Sequence, residues 1–172
     1  MTSEARQDVI RGPVAVLGDY VSADVILPAR FSFVPREEMA QQALRELGEG
    51  VNERVRRHPI LVVGKAFGYG TGRESPSRAL NSAGVKAIVG GPFARMFFRN
   101  AINNGILVLE CPDLLEAGIA EDDVIEIRPG DGSIRYKDRE FSVPAVSGIV
   151  GEIVSAGGLI PYAEALLQGV RS

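Results

Sequence analysis

The sequence predicts one α/β domain in which a strand–helix–strand–helix–strand unit joins an antiparallel hairpin region. Between residues 60 and 111, short apolar runs alternate with helical spacings, as in parallel strands linked by right-handed crossovers. From residue 123 to 146, apolar and polar residues alternate around "PGDGS" and "KDRE", which is hairpin chemistry. A chain of 172 residues with 45% hydrophobic and 24% charged residues suits a single domain with a sizeable core, so residues 1–172 are read as one unit.

Residues 1–11 are expected to form a flexible N-terminus. "GPVAVLGDYVSADVILPARF" then reads as a short strand, a turn at Gly18-Asp19 and a second apolar run ending at Pro28. Residues 36 to 57 favour helix, with Met39, Ala43, Leu44 and Leu47 on one face and Gly48 and Gly50 ending the pattern. With so few large apolar residues, a mobile excursion is the alternative there. "ILVVG" is a buried strand. "SPSRALNSAG" is a short helix with Ser75 as N-cap, Pro76 at the first helical position and Gly84 as the stop. "VKAIVGG" is a strand, and "PFARMFFRNAINNG" a helix turning Phe93, Met96, Phe97 and Ala101 to the core and Arg95 and Arg99 to another face. "ILVLEC" closes the parallel unit. The end, "GIVGEIVSAGGLIPYAEALLQG", is two short helices broken at Gly157-Gly158.

Several function classes are disfavoured. A net charge of −3 and a pI near 5.3 give no general attraction to polyanions, so nucleic acid is not the expected partner. The N-terminal stretch has no apolar signal core and no run reaches membrane-spanning length, so a cytoplasmic location is expected. With one cysteine, Cys111, and one histidine, His58, this chain alone assembles neither a cysteine-held iron–sulfur cluster nor a structural zinc site. Cys111 reads as a buried strand-end thiol and His58, in "RVRRHP", as a solvated side chain.

The stretch "FGYGTGRESP", residues 67 to 76, carries the chemistry. Gly68, Gly70 and Gly72 alternate with Tyr69 and Thr71, and Arg73 follows. A dinucleotide site fails on detail, because Arg73 stands where a third fingerprint glycine belongs and the next strand ends in Gly90-Gly91 rather than an acid. Without Gly-Lys-Ser/Thr there is no P-loop. What remains is a glycine-rich strand-to-helix loop whose N–H groups and helix N-terminus suit an anion, with Arg73 supplying a fork for carboxylate or phosphate. Glycines that serve only packing are the bland alternative.

The chain resembles the small subunit of isopropylmalate isomerase, the swivelling domain of the aconitase superfamily. "GDYVSADVILPARF" is similar to G-D-N-[VI]-[DN]-T-D-x-I-x-P-[AG]-R-[YF], and "ILVVGKAFGYGTGRES" to I-[LI]-V-[AG]-G-x-N-F-G-C-G-S-S-R-E-H. "PFARMFFRNAINNGILVLEC" is similar to S-F-A-R-I-F-Y-R-N-[AC]-[IF]-N-x-G-L-P-L-L-E, and "AGGLIPY" to the usual ending. The matches run in order from about residue 12 to residue 165. The resemblance implies a three-layer β/β/α swivelling domain of the aconitase C-terminal type. It implies a hydro-lyase or isomerase of leucine biosynthesis that removes water from a hydroxy di- or tricarboxylate and adds it back at the neighbouring carbon. A large subunit would carry the [4Fe–4S] cluster, the Lewis acid for the departing hydroxyl. The two would form a heterodimer or heterotetramer, and the small chain is expected to self-associate when isolated.

Carried over residue by residue, Thr71 stands for the serine whose alkoxide is the base, and Asp24 for the aspartate that orders the site. Arg73 matches the carboxylate-binding arginine. Gly70, Gly72, Tyr69, Ser75 and Arg30 complete the implied substrate contacts, and Ser32, Phe33 and Val34 begin the loop that selects the substrate's side group. The departures cluster at the chemistry. Thr71 adds a methyl, Gly72 replaces a second serine, Tyr69 a cysteine or glutamate, and Ser75 the usual histidine; Ser22 and Ala23 stand for Asp-Thr before Asp24. These changes favour a related hydro-lyase with a variant substrate, such as a substituted malate. A stand-alone carboxylate-binding or regulatory protein without catalysis is the alternative. A purely structural subunit is argued against by the retained hydroxyl and Arg73.

Overall fold

The computed structural model describes residues 9–170. Four short apolar runs form parallel strands: β1 (Ile10–Val16), β2 (Ile60–Val63), β3 (Ala87–Gly90) and β4 (Leu107–Glu110). Every residue of β2 and β3 is buried, so these strands are apolar throughout rather than alternating. The alternating region forms β5 (Val124–Arg128), β6 (Ser133–Tyr136) and β7 (Arg139–Ser142), each antiparallel to its predecessor. All seven make one sheet in the order β4-β3-β2-β1-β5-β6-β7. β1 is the pivot, parallel to β2 with Val14 opposite Ile60 and antiparallel to β5 with Ile10 opposite Ile127.

Successive side chains of a strand point to opposite faces, so the parallel strands feed two cores. Ala15, Leu61, Val63 and Ile88 pack with Met39, Leu80 and Phe97 on the helical side. That side holds α1 (Ala23–Ile26), α2 (Arg36–Gln42), α3 (Val51–Arg57) and the crossover helices α4 (Ser75–Ser82) and α5 (Arg95–Asn103). Val14, Ile60, Val62 and Val89 instead pack against Ile125, Ile127, Ile134 and Phe141 of the hairpins. The antiparallel part of the sheet thus folds over the parallel part, giving the β/β/α layering. α6 (Pro112–Glu116) follows β4, and α7 (Gly148–Ser155) and α8 (Leu159–Val170) close the chain, broken at Gly157-Gly158 as expected. No single helix among the described residues is long and apolar enough to cross a membrane.

Several expectations are corrected. Residues 36–57 are not one helix: α2 stops at Gln42 and Leu44 takes a left-handed backbone, φ 60°. That turn buries Leu44 completely and sends its N–H to the Ile26 carbonyl at 2.9 Å, while Leu47 faces out. Nor is the segment an excursion, because Met39, Ala43 and Val55 are core residues and the Asn52 amide holds the Ala40 and Ala43 carbonyls at 2.8 and 2.7 Å. Ser75 is the first helical residue of α4 rather than its cap; Glu74 stands at the cap position. Met96 is exposed, whereas Phe97 and Ala101 are buried. His58 is not solvated but 6% exposed: Nδ1 donates to the Arg54 carbonyl at 2.6 Å and Nε2 meets the Asp122 carboxylate at 2.7 Å, closing the end of α3. Of the expected flexible N-terminus, residues 1–8 lie outside the described residues, and Ile10 and Arg11 belong to β1.

Cys111 is buried at the end of β4, and burial pushes its thiol up from the usual range. A protonated, shielded thiol is a poor nucleophile. Its reaction with a disulfide reagent in the native chain at pH 8 is expected to be at least about 100-fold slower than in the unfolded chain. Labelling at similar rates in both states would show an accessible thiol.

Candidate active site

The glycine loop leaves the carboxyl end of β2 and enters α4, where open α/β sheets place ligands. Its base is anchored by Phe67, fully buried and edge-on to Phe97 with ring centroids 5.2 Å apart. Gly68 lies against that Phe97 ring at φ +80°, where any Cβ would overlap the ring. Packing therefore explains Gly68. It does not explain Gly70, whose φ of +110° faces open space, or Gly72, where a Cβ would come no closer than 3.5 Å to Met96 Cε. The N–H groups of Gly70, Thr71 and Gly72 have no acceptor among the described residues, and both glycines are exposed.

Residues 21–24 are stitched to this loop. The Gly68 N–H donates to Val21 O at 2.8 Å and the Ala23 N–H to Tyr69 O at 2.7 Å, with a parallel bridge between Ser22 and Tyr69. Ser22 caps α1, its hydroxyl accepting from Val25 N at 3.2 Å, which presents Asp24 in the first turn. One chain of contacts results. The Arg73 Nη2 donates to the Asp24 carboxylate, and the Arg73 Nε donates to Thr71 Oγ1 at 3.0 Å. The Arg73 backbone N–H also reaches Thr71 Oγ1, at 3.4 Å. The structure thus brings Thr71, Arg73 and Asp24 together. A guanidinium and an N–H aimed at one hydroxyl oxygen favour its alkoxide. Nη1 of Arg73 has no hydrogen-bond partner among the described residues.

The other expected residues fall around this group. Ser75 is buried and its hydroxyl meets that of Ser32 at 3.0 Å, fastening the 32–34 loop to the head of α4. Phe33, at the loop tip, is 99% exposed, while Val34 packs on the helical core. Tyr69 is exposed beside the loop. Arg30 pairs with Glu46 at 3.0 Å and lies over the Phe31 ring, 4.8 Å from its centroid, rather than joining Arg73.

Two residues of the site were missed by sequence reasoning. The Asn100 amide on α5 donates to Gly72 O at 3.0 Å and Arg73 O at 3.2 Å, turning both carbonyls away from the loop's open side. Asn104, one turn on and buried, donates to Asn100 O at 2.9 Å and Glu74 Oε1 at 3.1 Å. The signal was two asparagines at i, i+4 in "RNAINN", polar residues standing within the stripe that Phe93, Met96, Phe97 and Ala101 mark out.

The fold and this loop place the chain in the aconitase C-terminal domain class, whose family description matches residues 38–114. It is 37% identical over 155 residues to the 3-isopropylmalate dehydratase small subunit of Saccharolobus islandicus (strain M.14.25 / Kamchatka #1), covering 90% of this chain and 93% of the relative. The small subunit from Halothermothrix orenii is 36% identical, covering 88% and 93%. A crystal structure of 3-isopropylmalate dehydratase from Methanocaldococcus jannaschii superposes with a TM-score of 0.81 at 28% identity, covering 96% of this chain and 100% of that one. The chain belongs to the 3-isopropylmalate dehydratase small-subunit family.

Proposed function

We propose that this chain bears the base and the carboxylate clamp of a hydro-lyase that dehydrates and rehydrates a hydroxy-dicarboxylate of the 3-isopropylmalate type. It would be active only with a larger chain that carries the iron–sulfur cluster. The observation that carries the reading is the Asp24–Arg73–Thr71 chain of hydrogen bonds beside the unpaired N–H groups of Gly70 to Gly72. A single cysteine, buried against the hairpin-side core, does not fit a cluster, so that group is assigned to the partner.

On this reading, Thr71 Oγ1 as alkoxide takes the proton from the carbon next to a substrate carboxylate. The C–H electron pair passes into that carboxylate, giving an aci-carboxylate, and then forms the double bond as hydroxide leaves the adjacent carbon. Arg73 and the loop N–H groups neutralise the transient charge. Asp24 holds the Arg73 fork in register, Gly70, Gly72 and Tyr69 frame the substrate, and Ser75 fixes the Ser32, Phe33 and Val34 loop that meets its side group. Arg30 would have to exchange Glu46 for substrate on closure. The small-subunit relatives lend no support to a changed substrate. The extra methyl of Thr71 and the missing hydroxyl at Gly72 are read as retuning the same reaction. The exposed Tyr20, Phe33, Tyr69 and Met96 around the loop offer the larger chain its docking surface.

The test is anaerobic assembly with the large subunit and assay of a panel of 2- and 3-hydroxy diacids. Highest kcat/KM for 3-isopropylmalate is expected. Preference for an unbranched or differently substituted malate would revive the variant-substrate reading, and binding without turnover would support the non-catalytic one. Within the same assay, Asn100→Asp sets a carboxylate against two carbonyls, and an increase in KM of roughly tenfold is expected from a disturbed loop. An unchanged KM would show that the loop keeps its shape without the Asn100 amide.

A further inference from the structure

Beneath α7 lies a cavity of about 270 Å³. Ile10 and Leu107, the first residues of β1 and β4, line one side of it, and Val146, Gly151 and Val154 line the other. It therefore sits at the amino ends of the parallel strands, whereas the glycine loop leaves the carboxyl end of β2. α7 is anchored on both sides of this gap. Shortly before the helix, the Val146 N–H donates to Pro129 O at 2.9 Å. Shortly after it, Gly157 meets Gly105 backbone to backbone, so close that a Cβ on Gly105 would come within 2.4 Å of Gly157 C. Between these anchors the buried Gly151 lines the cavity and has no side chain to fill it. Ordinary packing leaves few voids larger than a water molecule, and this one approaches the size of a small-molecule site.

The lining is of two kinds. Ile10, Leu107, Val146 and Val154 give it aliphatic walls. Asn81, Lys86 and Ser155 are its hydrogen-bonding side chains. Asn81 Oδ1 already accepts from Arg36 Nη1 at 3.5 Å, which leaves its N–H groups as donors. Those N–H groups, the Lys86 ammonium and the Ser155 hydroxyl have no hydrogen-bond partner among the described residues. Lys86 is the one charged residue of the lining, and no carboxylate faces it there. Lys86 and Ser155 are also exposed, so the positive charge stands at the mouth and the hydrocarbon walls lie within.

We infer that this cavity is a second binding site, which takes a small aliphatic monocarboxylate. The carboxylate pairs with Lys86 and accepts from Asn81 and Ser155, and the hydrocarbon body fills the space between α7 and the strand ends. One cation and apolar walls select a single carboxylate: a second one would be buried against aliphatic side chains with no partner. The ligand class thus differs from the hydroxy-dicarboxylate assigned to the glycine loop, and the inference does not depend on the reaction proposed there.

Titration of the isotope-labelled full chain with isocaproate, followed by backbone amide NMR shifts, tests this. Saturable shifts are expected at Lys86, Gly105, Gly151 and Gly157, with a dissociation constant of roughly 0.1–1 mM. Isocaproamide has the same body without the charge and should bind at least about tenfold more weakly. Lys86→Gln should weaken isocaproate by at least about tenfold and leave isocaproamide unchanged. Lys86 is exposed, so that variant should keep the Tm of the parent. Val154→Phe fills the cavity and should weaken both ligands by at least about tenfold. Four results would overturn the inference: no saturable shift up to about 50 mM; shifts confined to Gly70, Thr71 and Gly72, which would put the carboxylate on the glycine loop; equal binding of isocaproate and isocaproamide; or parent affinity for isocaproate in Lys86→Gln or Val154→Phe.

Discussion

Thr71→Ala in the assembled enzyme is expected to lower kcat by at least about 100-fold while leaving KM nearly unchanged. A general base has to lie within hydrogen-bonding reach of the proton it takes, and Thr71 Oγ1 and the Tyr69 phenol are the only hydroxyl oxygens of loop 68–73. Of the two, only Thr71 is supported by the Arg73 guanidinium and backbone N–H; Tyr69 turns to solvent. Removing Oγ1 leaves the Arg73–Asp24 pair and the loop N–H groups in place, which is why binding should survive. Thr71→Ser restores the oxygen without the methyl and should recover most of the activity. Full activity in Thr71→Ala with a dead Tyr69→Phe would move the base to the phenol.

Arg73→Lys should raise KM and lower kcat together, each by roughly tenfold or more. The guanidinium donates from Nε to Thr71 and from Nη2 to Asp24, and on the proposed reading its Nη1, which has no partner among the described residues, is left for substrate. An ammonium group keeps the charge but cannot hold both partners at those positions and still present a paired edge. The Thr71 oxygen therefore loses the donor that favours its alkoxide, which lowers kcat, and the substrate loses a two-pronged contact, which raises KM. A rise in KM with kcat intact would mean that Arg73 binds substrate without supporting Thr71.

The parallel unit was legible because its strands are buried on both faces and so appear as unbroken apolar runs, bounded by glycine and proline at the turns. The glycine loop was legible for a related reason, since glycines that packing alone does not require draw attention to the polar groups between them. What stayed hidden depends on residues distant in the chain. His58 sits in a run of arginines and looks solvated, and its burial is decided by Asp122, 64 residues away. Leu44 leaves the helical path because the Ile26 carbonyl and a core position reward it for doing so. Asn100 has no sequence neighbour that reveals its role; its partners are the carbonyls of Gly72 and Arg73, reached only when α5 packs beside the loop. Met96 carries an apolar side chain on a helix, yet it faces out beside Gly72. Hydrophobic periodicity reports which residues of a helix are apolar, and has no way to mark one that its own core leaves exposed.

The most direct measurement is turnover of 3-isopropylmalate under anaerobic conditions by this chain alone, by the large subunit alone and by the two combined. The account predicts no activity from either chain alone and sustained formation of the unsaturated diacid by the pair. Turnover by this chain alone without iron, or an assembled pair that binds the substrate and leaves it unchanged, would contradict it.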